Sequence, residues 1–153
     1  MRTLVMLAAL AVSVPAVTND ATGRAQLNAI DQSGIRAQVF FVDNGSTLWV
    51  LGVAEGLDPT KAYISLVYGQ GSFPGGPSAC EPTTDLTHLL TFPQMLIGAW
   101  TVDTDGSGVL SAKKTGTSYV PVGAAGTISV RQFIAPMNAP LKACGAVAAN
   151  PIN

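Results

Sequence analysis

The chain has 153 residues, of which only 11% are charged, and its formal net charge is −1. No basic cluster is present to neutralise phosphates, which argues against a nucleic-acid or anionic-membrane partner. With so few charges, solubility rests on Ser, Thr, Asn, Gln and Gly.

The first 16 residues read as a secretory signal. Arg2 supplies the basic n-region, and Leu4 to Val14 form an apolar run of h-region length. Val14-Pro15-Ala16 places small residues before a cleavage point after Ala16. The run is too short for a bilayer, which needs ~20 apolar residues, so no membrane span is expected. Residues 17–153 then form one domain, large enough to bury about two thirds of its unfolded surface. The expected location is secreted, periplasmic or extracellular. In that oxidising setting the two cysteines, Cys80 and Cys144, read as one disulfide, with two free buried thiols as the alternative.

The mature region punctuates itself into short strands. The first runs from Arg24 to Ile30, and Asp31-Gln32-Ser33-Gly34 turns it into a second, Ile35 to Val42. Asn44-Gly45 then signals a hairpin into a third, Thr47 to Ala54. A fourth, Ala62 to Tyr68, precedes a Gly/Pro-rich stretch extending to about Pro93, with a helical hint only at Thr84 to Leu90. The remaining strands are Leu96 to Val102, Gly108 to Lys113, Thr127 to Phe133 and Leu141 to Ala148. Eight strands with turn signals between them argue for an all-β, antiparallel sandwich or barrel.

Alternation orients two of these strands. In the second, Arg36, Gln38, Phe40 and Val42 share one face, which Arg36 and Gln38 mark as outward. In the third, Leu48, Val50, Gly52 and Ala54 share a face, and so do Trp49, Leu51 and Val53. Both faces of this strand are apolar, whereas a half-solvated strand shows one polar face. Phe40, Trp49, Leu51 and Val53 therefore form a candidate surface for a protein partner or for self-association, unless a loop of the same chain covers them.

Three passages carry a family resemblance. Val50-Leu51-Gly52-Val53-Ala54-Glu55-Gly56-Leu57 resembles the third strand and Gly-Leu turn of the Cu/Zn superoxide dismutases. Ile97-Gly98-Ala99-Trp100-Thr101-Val102-Asp103-Thr104-Asp105-Gly106 resembles that family's strand and turn after its metal loop. Leu141-Lys142-Ala143-Cys144-Gly145-Ala146-Val147 resembles its last strand, with the disulfide cysteine whose mate corresponds to Cys80. The resemblance implies an eight-stranded Greek-key barrel. It does not carry over the chemistry. The copper-binding His-x-His pair falls on Ile64 and Leu66, and a further copper ligand falls near Arg131. The long loop offers only Asp85 and His88 where several histidines and an aspartate would hold zinc, and the arginine before the last cysteine is Leu141. The expectation is a scaffold without cofactor or catalytic residues. Phe73, Leu86, Leu89, Leu90 and Phe92 of the long loop are expected to pack over Ile64 and Leu66 as an apolar plug.

Three smaller signals remain. Asp103-Thr104-Asp105-Gly106 resembles the start of a calcium loop, but its twelfth position is Lys114, where a carboxylate is required, and the same residues read as a hairpin turn between two strands. His88, the one histidine, with Asp85 or Glu81 is the sole basis for an unrecognised enzyme. Asn44-Gly45-Ser46 fits an N-glycosylation sequon and also serves as the hairpin turn.

Overall fold

A computed structural model describes residues 20–75 and 79–151. The signal reading of residues 1–16 lies outside them. The strands are β1 (Ala21–Ala29), β2 (Arg36–Asp43), β3 (Thr47–Glu55), β4 (Ala62–Gly69), β5 (Leu96–Val102), β6 (Gly108–Thr115), β7 (Ala125–Phe133), β8 (Leu141–Ala146) and β9 (Ala148–Pro151). One helical turn, α1 (Phe92–Met95), precedes β5, and a 3-10 turn covers Leu86–His88 inside the stretch with the helical hint.

Every pairing is antiparallel, and the ladder runs β1-β2-β3-β6-β5-β4-β7-β8 and back to β1. Eight strands thus close into a barrel, which removes open edges. The β3–β4 and β6–β7 connections skip neighbouring strands, so the closure is a Greek key. The expected eighth strand is split at Val147. β8 pairs with β1 at Asn28 and Ala29, whereas β9 pairs with β1 from Ala21 to Arg24. β9 therefore continues along the edge of β1 opposite β2, the edge that β8 begins.

Strict alternation builds the core. β2 reads exposed–buried throughout, with Ala37, Val39, Phe41 and Asp43 inward. β3 does the same with Leu48, Val50, Gly52 and Ala54. Val67, Leu110, Ile128 and Val130 fill the space from the other strands. Trp100 is the largest residue in this core, and its indole N–H donates to the Ser65 hydroxyl at 2.9 Å, so its polar atom is satisfied. Gly52 makes room for it: a Cβ there would lie 2.7 Å from the Trp100 ring. At one end of the barrel Leu57 is buried, and its N–H donates to the Gly106 carbonyl at 3.0 Å. This bond joins the β3–β4 and β5–β6 turns.

Candidate functional site

Two regions come from the sequence: the outer face carrying Ile64, Leu66 and Arg131, and the apolar face of β2 and β3. The first sits on the β5-β4-β7-β8 side. Register places Ile64 opposite Arg131, and Arg131 opposite Leu141. One step along, Leu66 faces Ser129, which faces Cys144. Cys144 is disulfide-bonded to Cys80 with Cα atoms 5.8 Å apart, so the β4–β5 loop is fastened onto β8. The pairing read from the sequence is present. Ala79, Cys80 and Cys144 form a small second core, against which Ile30, Tyr68 and Leu141 pack.

Arg131 occupies the centre of this region. Its Nε donates to the Ser129 hydroxyl at 3.2 Å, one Nη to the Ala139 carbonyl at 3.1 Å and the other to the Cys80 carbonyl at 3.2 Å. The guanidinium lies 5.7 Å from the centre of the Tyr68 ring. No carboxylate faces it among the described residues. The cation is balanced by carbonyl and hydroxyl dipoles and by a π-face. Cys80 itself adopts left-handed backbone (φ 53°), unusual for a residue with a Cβ, and its N–H donates to the Phe73 carbonyl at 2.6 Å. The disulfide, the guanidinium and this bond together hold that conformation.

The donor set does not fit copper or zinc. Such sites need several imidazole, thiolate or carboxylate donors converging from different directions. Ile64 and Leu66 offer no lone pair, Arg131 is a cation, and both cysteines are spent in the disulfide. Among the described residues no group of three His, Cys, Asp or Glu side chains is close enough to hold a metal ion.

The apolar plug is corrected. Phe73, Leu86, Leu89 and Phe92 are exposed, and only Leu90 packs partly against the core. The loop is fastened by Arg131 and the disulfide, so its apolar side chains are left facing outward.

His88 and Asp85 form an exposed turn rather than a cleft. Asp85 caps the 3-10 turn, accepting from the Thr87 N–H at 2.9 Å and the Thr87 hydroxyl at 2.7 Å, while His88 Nδ1 lies 2.8 Å from its other oxygen. These bonds, those of Thr87 first, hold the Asp85 carboxyl down at about 2. Ser72 is buried and bonded to Thr127, and Glu81 bridges to Phe73 on the backbone. Among the described residues the hydroxyl beside His88 is that of Thr87, 3.2 Å from Nδ1, and it donates to Asp85. In the β5–β6 turn, Asp105 spends its carboxylate on the Ser107 N–H (2.9 Å) and hydroxyl (2.7 Å). Lys114 leaves that turn altogether. It is buried, and its ammonium donates to the carbonyls of Pro93 (2.9 Å) and Leu96, tying α1 to β6. Burial lowers its pKa.

The second region is the outer face of β2, β3 and β6. Phe40 is 50% exposed, Leu51 and Val53 are each 55% exposed, and Trp49 is 36% exposed. No described segment covers them, so the loop alternative does not hold among the described residues. The sequence reading missed two members. Val42 faces Trp49, and Val109 faces Val53, and both are about half exposed. The Lys113 ammonium stands 5.9 Å from the Trp49 ring centre, at the margin of the patch. Val109 lies in the expected strand beginning at Gly108 and could have been found by carrying the face alternation across from β3.

No protein-family model matches this chain. No curated protein matches it either.

Proposed function

We propose that this chain is an exported, non-catalytic binding or structural protein, built on a scaffold like that of the Cu/Zn superoxide dismutases but lacking their metal site. One observation carries the reading. Where the resemblance requires imidazoles, the barrel presents Ile64, Leu66 and an arginine already committed to three acceptors. The Greek-key ladder and the disulfide from the long loop to β8 support the scaffold part of the proposal. The disulfide also supports an oxidising compartment. No described helix is long and apolar enough to cross a membrane. The apolar face of β2, β3 and β6 is the contact surface under this reading, because a patch of this kind is uncommon on a lone soluble domain.

Reconstitution tests the proposal. Wild-type protein incubated with copper and zinc and then dialysed retains no stoichiometric metal and does not dismutate superoxide. The double variant Ile64→His/Arg131→His places two imidazoles on paired positions of adjacent strands and gains affinity for either ion. Tight metal retention by the wild type, with dismutation, overturns it.

A further inference from the structure

Two sets of exposed apolar side chains, one on a sheet face and one on a loop, differ in the charges beside them. The first is the sheet face of Phe40, Val42, Trp49, Leu51, Val53 and Val109. Its neighbours along the strands are Arg24, opposite Phe40, then Arg36 and Lys113, with Glu55 as the one acid, opposite Arg36. The second lies on the β4–β5 loop and carries Phe73, Leu86, Leu89 and Phe92. Its charged groups are Glu81 and Asp85, with His88 beside Asp85. Glu81 is bridged to Phe73, and Asp85 caps the turn that presents Leu86. The loop packs through α1 on β4, on β5 and on the 3-10 turn at Gly116–Ser118 that follows β6.

We propose that the occupant of the sheet face is the β4–β5 loop of a second copy of this chain, so that copies associate head to tail. This rests on the reading of the face as a contact surface and names its partner. Charge favours a heterologous contact over face-to-face pairing. Pairing two identical faces sets three cations and one acid against the same set, whereas the loop sets Glu81 and Asp85 against Arg24, Arg36 and Lys113. The area is also of the right order. Phe40 and Trp49 together with the four exposed aliphatic side chains, each about a third to a half exposed, offer on the order of 500 Å². With the charged rim this approaches the ~800 Å² per partner of a stable contact. A heterologous contact leaves one free face and one free loop at the ends of each assembly, so it grows into rings or filaments.

The experiment is sedimentation of the mature chain, residues 17–153, over a wide concentration range, with two single variants. Leu51→Lys charges the centre of the face, and Leu86→Asp charges the loop. Both side chains are exposed, so neither change disturbs the core. The wild type is expected to increase in mass with concentration beyond a dimer. Each variant alone is expected to lose association by at least tenfold. An equimolar mixture of the two is expected to stop at twice the monomer mass, because one copy keeps its loop and the other its face. Association abolished by Leu51→Lys but untouched by Leu86→Asp overturns the head-to-tail contact and leaves the face as a pairing surface. A wild type monomeric throughout, or a mixture that forms no dimer, also overturns it, while the metal-retention test of the scaffold reading stands separately.

Discussion

Arg131 on β7 donates a hydrogen bond to the Cys80 carbonyl at 3.2 Å, so the loop that carries the disulfide is also held by a guanidinium from the barrel wall. With no carboxylate facing it among the described residues, this cation is held by three neutral acceptors and the Tyr68 ring. Arg131→Met removes all of these at once and leaves the carbonyls of Cys80 and Ala139 without this donor. The expected loss is about 2–4 kcal/mol, read from urea unfolding. Arg131→Lys is expected to recover little, because a single ammonium cannot span acceptors arranged for a planar fork.

The disulfide closes a sequence separation of 64 residues. Chain entropy assigns such a loop about 4 kcal/mol of stabilisation. A Cys80→Ala/Cys144→Ala variant is expected to lose an amount of that order in chemical denaturation. Amide exchange is expected to rise most strongly around Ala79 and Cys80, whose small core contains the bridge.

Asp43 ends β2 inside the barrel mouth, where its carboxylate accepts from the Tyr119 hydroxyl, the Val122 N–H and the Gly45 N–H, each at 2.8 Å. Burial first, and then this bond to Asp43, push the Tyr119 hydroxyl up to about 12. A raised pKa means that the neutral phenol is favoured in the folded state. Its contribution is therefore intact below the unfolded tyrosine value of ~10 and is lost as pH rises towards 12. Thermal melting is expected to fall across that window in the wild type and to fall less in Tyr119→Phe. Equal slopes for the two proteins would remove Tyr119 from the account.

Gly52 on β3 gives the Trp100 ring the space that a Cβ would take. Gly52→Ala is expected to destabilise by about 1–3 kcal/mol through overpacking, with a change in tryptophan fluorescence as the indole shifts from Ser65. An unchanged melting temperature would show that the ring has slack.

Most of the barrel was legible in the sequence because its signals are local. Asn44-Gly45 and Asp105-Gly106 mark hairpins, and the Leu48–Val50–Gly52–Ala54 alternation marks an inward face. β5 falls on Leu96–Val102, as the apolar run indicates. The split of the last strand was not legible, because an alanine-rich run carries no mark of the point where its pairing moves along β1. The loop plug failed for a related reason. Apolarity says that a side chain gains from burial, but not that the fold leaves it a cavity. Lys114 shows the same limit: its identity excluded a calcium ligand, but only tertiary structure brings the carbonyls of Pro93 and Leu96 to its ammonium. The outward apolar face was legible from β3 alone, since Trp49, Leu51 and Val53 alternate with core residues and have no polar neighbour between them on that face.

Elemental analysis of protein purified from its native compartment decides whether Ile64, Leu66 and Arg131 leave this barrel without a copper or zinc site. Copper and zinc far below one equivalent per chain are expected, and either metal at one equivalent would overturn that reading.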